Sequence, residues 1–193
     1  KKAINELLIN KKKKNFKINI KYLNFNIDHI NGCNYINNIK IPLTFPIYIL
    51  DYINKINKNK EIDYNFLGTI TTKRDWINKN KYTFNSIIKS NNYGRINNKK
   101  YKIDKKYYDI ICKSNFTLCP TGDCPWSYRF FEAIMCLSIP ILEDNSNDIY
   151  MKDYFCFFDK DKHFYDRNKA IQNYKTFINS KHFLKNIEEI NVS

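Results

Sequence analysis

A chain of 193 residues, 43% hydrophobic and 16% aromatic, can bury one sizeable core but is too short for two full Rossmann-type domains. Its net charge of +14 raises nucleic acid as a partner, but Lys, Asn and Ile dominate throughout and only Lys11 to Lys14 forms a basic run, so the bias of an AT-rich coding sequence accounts for the charge better than a dedicated nucleic-acid surface. No window of about 18 apolar residues is present for a transmembrane helix, and the six cysteines contain no Cys-x-x-Cys pair or zinc-like His spacing, which argues against a structural metal. The chain carries no signal peptide and does not begin with Met, so the expectation is an excised or processed piece with any targeting segment upstream.

In chain order, the first 15 residues are polar and Lys-rich and are expected to be a frayed helix or a linker. Alternation from Phe16 to Ile27 predicts one or two strands, and Ile39-Lys40-Ile41-Pro42 a short extended piece, because the residue before proline is pushed out of the helical region. Ile47 to Ile56 fits either strand or helix. Tyr64 to Ile70 reads as a strand running into Thr71-Thr72-Lys73-Arg74, and Asp75 to Ser90 as a helix with Trp76, Ile77, Phe84, Ile87 and Ile88 inward. A polar loop from Asn91, with a short strand at Gly94 to Ile96, leads to a short helix at Lys105 to Lys113. This alternation predicts an α/β fold, a parallel sheet with helices on both faces. Near the end, Tyr154 to Phe158 reads as a strand and Asn168 to Ile190 as a helix closing the last face.

Residues 114–144 are the stretch whose composition looks selected for chemistry. Phe116 to Cys119 forms a buried strand that Pro120 ends, and Gly122 in the following turn is free to bring backbone N–H groups close to a ligand. Ser127 caps a helix in which Arg129 lies in the first turn and Glu132 three residues on. A cation opposes the helix dipole there, and a bound anion is one reason to keep it; a surface ion pair between Arg129 and Glu132 is the other. Cys119 and Cys124 flank the Gly122 loop and could close a disulfide in an oxidising compartment, although thiols in apolar runs more often act as small hydrophobes.

The run Leu118-Cys119-Pro120-x-Gly122, Ser127-Tyr128-Arg129-x-x-Glu132-Ala133, Ser138-Ile139-Pro140-Ile141 resembles the signature of the exostosin family of glycosyltransferases: a Cys-Pro-x-Gly loop, a Ser-x-Arg-x-x-Glu-Ala helix and a Gly-x-Pro-Val strand. Glu143-Asp144 resembles the branch that includes the ribitol xylosyltransferases. Upstream, Ile39 to Pro42 and Phe66-Leu67-Gly68 with Arg74 are similar to the family's Ile-Pro segment and Phe-x-Gly strand. The resemblance implies the Rossmann-like, nucleotide-sugar-binding C-terminal half of a GT-B enzyme, over residues 36–193, with residues 1–35 as a linker to, or remnant of, an acceptor domain. It implies an inverting transfer from a UDP-sugar to a glycan or glycoprotein acceptor, in protein glycosylation or polysaccharide biosynthesis, with no metal and no nucleic acid. Donor contacts fall on Arg74, Gly122, Ser127, Tyr128, Arg129 and Glu132, with Glu132 receiving the ribose hydroxyls. The implied location is the Golgi or endoplasmic reticulum lumen, or the cytoplasm if the protein is viral or bacterial.

Ser138 stands where the family has Gly. Asp28 and His29 are the only base-like pair in the N-terminal region, weighed against surface decoration. Glu143, Asp144 and Asp148 read as a solvated strand-end loop rather than a metal site, and the sequon Asn115-Phe116-Thr117 lies on a core strand. A catalytically silent α/β binding module is the alternative reading, and a basic nucleic-acid-binding protein a weaker one.

Overall fold

The computed structural model describes residues 25–28, 33–36, 39–42, 45, 47–78, 82, 85–90, 96–97, 102–121, 127–143 and 152–180. The expectations for residues 1–15 and for Gly122, Cys124, His29, Asp144 and Asp148 lie outside this set; of the expected loop from Asn91, residues 96–97 and 102–103 are described, as strands, and Asp28 is described only as the last backbone position of a strand.

The chain falls into two compact units, residues 1–51 with 178–193, and residues 52–177. The first holds an antiparallel sheet of β1 (Phe25–Asp28), β2 (Cys33–Ile36) and β3 (Ile39–Pro42), in that order. Its registers place Phe25 opposite Ile36 and Cys33 opposite Pro42. The ambiguous segment after Pro46 is a helix, α1 (Ile47–Ile53).

The second unit is built on β4 (Ile62–Gly68), β5 (Ile87–Ser90), β8 (Ser114–Leu118), β9 (Ile139–Leu142) and β10 (Phe157–Phe158). These make one five-stranded sheet, all parallel, in the order β10-β9-β8-β4-β5. A two-stranded antiparallel ribbon, β6 (Ile96–Asn97) with β7 (Lys102–Ile103), sits apart from it. The helices are α2 (Lys105–Lys113), α3 (Tyr128–Met135) and α4 (Arg167–Asn179). This is the Rossmann-like α/β arrangement expected from the strand-helix alternation. Counted by appearance, the sheet runs second, first, third, fourth, fifth, so the chain reverses its direction of winding between β4 and β8. That is the topological switch point, outside whose carboxyl ends doubly wound proteins bind ligands.

Packing follows from the pleat. Phe66, Phe116, Leu118, Ile139 and Ile141 join Ile77, Tyr82, Phe157 and Ala170 in one buried cluster. Asn65, one residue from Phe66 and so on the other face of the strand, starts a buried polar chain. Its Nδ2 donates to Thr117 Oγ1 at 2.8 Å and to the Phe116 carbonyl at 3.0 Å, Thr117 Oγ1 lies 2.8 Å from Ser138 Oγ, and Ser138 donates to the Asn115 carbonyl at 3.3 Å. Ser138 thus contributes a buried hydroxyl that has two partners. Leu137, at φ 57, makes the left-handed turn between α3 and β9, and Ser138 N donates to Ala133 O at 2.9 Å across it.

Lys60, just before β4, donates to the Cys112 carbonyl at 2.9 Å and the Cys136 carbonyl at 3.1 Å, at the C-terminal ends of α2 and α3. One ammonium therefore supplies donors to two helix ends whose carbonyls have no intrahelical partner. Its burial lowers its pKa to about 8. On α4 the buried positions are Ala170, Asn173 and Phe177, a helical spacing, and Asn173 pairs with both the N–H and the carbonyl of Phe155 at 2.7 Å.

Three expected elements differ. The helix expected from Asp75 to Ser90 is a 3₁₀ segment, Thr72–Asn78, followed after a break by strand β5. Asn85 takes φ 46, which a helix excludes, and Ile87 and Ile88 pair in register with Asn65 and Phe66 instead. The strand expected from Tyr154 is shortened to Phe157–Phe158, and α4 is described to Asn179. Cys119 is a buried free thiol, and its expected partner Cys124 lies outside the described residues. Among the described residues no helix is long and apolar enough to cross a membrane.

Candidate functional site

The switch point collects the carboxyl ends of β4 and β8 and the start of α3. Ser127, in extended backbone at φ −140 and ψ 136, caps α3: its Oγ accepts from Arg129 N at 3.1 Å and satisfies one of the helix's orphan donors. Tyr128 follows as the first helical residue, partly buried.

Arg129 does not extend into solvent. Its Nη2 donates to the Leu67 carbonyl at 2.7 Å, and its guanidinium carbon stands 4.4 Å from the centroid of the Phe66 ring. Gly68 makes room for it, since a β-carbon there would lie 2.6 Å from Nη2. The cation is thus fixed at the positive end of a helix, stacked on an aromatic face. Among the described residues its Nε is buried with no hydrogen-bond partner. Leaving such a donor unpaired costs about 1–3 kcal/mol, which an anion accepting from it would recover.

Arg74 lies at the exits of the same two strands. It interrupts the 3₁₀ segment at φ −120 and ψ 22, donating from Nη1 to the Thr69 carbonyl at 2.8 Å and from Nε to the Thr121 carbonyl at 3.2 Å. One side chain therefore ties the exit of β4 to the exit of β8. Glu143, at the end of β9, completes the rim. Its Oε1 accepts from Trp76 Nε1 at 3.0 Å and from Thr121 N at 3.2 Å, and Thr121 Oγ1 lies 3.1 Å from Oε2. Glu143 is therefore a partly buried, ordered carboxylate rather than part of a solvated loop.

Glu132 is 1% exposed, so it belongs to no surface ion pair with Arg129. Its Oε2 accepts from Tyr107 Oη at 2.7 Å and its Oε1 from Tyr108 Oη at 3.1 Å, both tyrosines being on α2. At the end of β8, burial pushes the Cys119 thiol well above its usual range, with Arg129 acting to lower it and Glu132 to raise it, so both charges are felt there.

Of the expected donor contacts, Arg74, Ser127, Arg129 and Glu132 are brought to the exits of β4 and β8 and to α3, and Tyr128 lies beside them in sequence; Gly122, and the candidate base His29, lie outside the described residues. Trp76, Thr121, Tyr107 and Tyr108 join the site without having been singled out for it, because none is a specified position of a recognisable motif. Gly68 had a signal, as the last residue of the Phe-x-Gly strand. Among the described residues no group of three His, Cys, Asp or Glu side chains is placed to hold a metal ion.

The model of the RXYLT1 C-terminal domain, an exostosin-family glycosyltransferase domain, matches residues 44–189, about three quarters of the chain. The chain belongs to that family. No curated protein matches it closely enough to count as a relative.

Proposed function

We propose, from that membership and the geometry of the switch point, that this domain binds the UDP-sugar donor of a glycosyltransferase and takes part in transferring the sugar, with inversion, to a glycan or glycoprotein acceptor. In this reading it is the donor half of a GT-B enzyme. The observation that carries the proposal is the unpartnered Nε of Arg129, buried at the N-terminus of α3 beside the exit of β4. A diphosphate supplies the missing acceptor.

The chemistry asks for little more. As the bond between the anomeric carbon and the phosphate oxygen breaks, the electron pair goes to the leaving diphosphate, and the rate depends on stabilising that growing charge. Arg129, the N–H groups at the start of α3 and Arg74 at the exits of β4 and β8 are preorganised cations and dipoles for this purpose, and no metal ion is required in this reading. Glu132, one turn further into α3, is the acceptor for the ribose hydroxyls.

Calorimetric titration of UDP tests the assignment. Arg129→Ala and Glu132→Ala should each weaken binding by about 2–5 kcal/mol, the usual cost of removing one partner of a buried charged hydrogen bond. Wild-type affinity in Arg129→Ala removes the basis for the proposal.

A further inference from the structure

We infer that Tyr107 and Tyr108 are positioning residues that orient the Glu132 carboxylate to receive a vicinal diol, an inference that rests on reading the site as a nucleoside-diphosphate pocket. Adjacent residues on a helix project about 100° apart and do not normally reach the same target. Here they do: the two rings stand 88° to each other with centroids 5.2 Å apart, and their hydroxyls converge on the two oxygens of a single carboxylate on a different helix.

The convergence is rigid. Tyr107 and Tyr108 are 4% and 2% exposed, and α2 packs against β4, β8 and α3. Asp104 caps α2 by accepting from Tyr107 N at 3.1 Å, which fixes the turn that carries both rings. Neither phenol can swing away without opening the core.

Two donors, one on each oxygen, constrain a buried carboxylate. They fix the carboxylate plane, so its accepting directions are set before a ligand arrives. A carboxylate can accept about four hydrogen bonds, and paired neighbouring hydroxyls, as on ribose, match its two-oxygen spacing. A group kept only for packing would be replaceable by an apolar side chain of similar volume, often without loss of stability. Two tyrosine hydroxyls turned onto one carboxylate, at 2.7 and 3.1 Å, fit a polar task instead.

The test compares UDP with 2′,3′-dideoxyuridine diphosphate by calorimetry on the full chain. Wild type should prefer UDP on the order of a hundredfold. Tyr107→Phe and Tyr108→Phe, which keep ring volume, should each shrink that preference about tenfold while leaving affinity for the dideoxy ligand unchanged. Equal loss for both ligands, or an undiminished preference, overturns the positioning role and leaves the ribose reading standing. Tighter UDP binding in the variants also overturns it, making the phenols competitors of the diol. A wild type without preference takes down the ribose reading itself. Melting curves check each variant, and the two tyrosines are tested separately so that failure of one to fold leaves the other decisive.

Discussion

Gly68 and Arg129 meet at the carboxyl end of β4, where a β-carbon on Gly68 would stand 2.6 Å from Nη2 of Arg129 and 3.3 Å from Cζ of Phe66. The arginine occupies the space that a side chain at position 68 would take. Because the clash is with the far end of a flexible side chain, Gly68→Ala should cost the fold only about 1 kcal/mol, as the guanidinium can move aside. Ligand binding should suffer more: UDP affinity is expected to fall at least tenfold, which is about 1.4 kcal/mol. Unchanged affinity in the folded variant would mean that the placement of Arg129 over Phe66 does not matter to binding.

The chain Asn65, Thr117, Ser138 is expected to behave as one unit. Thr117→Val removes the hydroxyl that links the other two and should cost about 1–3 kcal/mol, because buried polar groups are left without partners. Ser138→Ala should be destabilising alone but much less so on top of Thr117→Val. A double-mutant cycle by urea denaturation should give a coupling of at least about 0.5 kcal/mol; strict additivity would show that the hydroxyls act independently.

Lys60 gives the fold a pH dependence of defined sign. Its folded pKa, lowered to about 8 by burial, lies below the ordinary lysine value of 10.5. Between those values the unfolded chain binds more protons, so stability from this group rises with pH across the window and its full penalty is present below pH 8. The whole window amounts to at most ~3 kcal/mol. Lys60→Met should lose this rise, measured as the difference in unfolding free energy between wild type and variant at pH 8 and pH 10. A parallel pH profile for the two proteins would refute the assignment.

Glu143 should prove structural for the rim. Glu143→Ala withdraws the acceptor from Trp76 Nε1 and from the N–H of Thr121. The expected loss is about 1–3 kcal/mol, together with a change in tryptophan emission as the indole N–H loses its carboxylate. An unaltered emission spectrum would indicate that the Trp76 contact is not maintained in solution.

Local chemistry explains which parts were readable in advance. The start of α3 was legible because Ser127 is a strong cap and Phe130, Phe131 and Ile134 repeat at helical spacing; β8 and β9 were legible as short apolar runs. Residues 75–90 were not, because Trp76, Ile77, Ile87 and Ile88 suit a helix or a strand equally. The choice was made by partners far along the chain, with Ile87 and Ile88 in register with Asn65 and Phe66. Arg129 and Glu132 could be selected from their positions on α3, but no local pattern places Tyr107 and Tyr108 against Glu132, or Thr121 against Glu143. Those contacts depend on the order of the strands, which composition and periodicity leave undetermined.

Arg74 binds two carbonyls, of Thr69 and Thr121, that come together only when β4 and β8 lie side by side. This arrangement therefore has no precursor in any single segment, and under the proposed function an unfolded chain offers a UDP-sugar nothing to hold. By mass action a ligand at 100 times its dissociation constant adds about 2.7 kcal/mol to the folded state. For a domain of ordinary marginal stability, the amount of intact protein in a cell would then follow the supply of its own ligand.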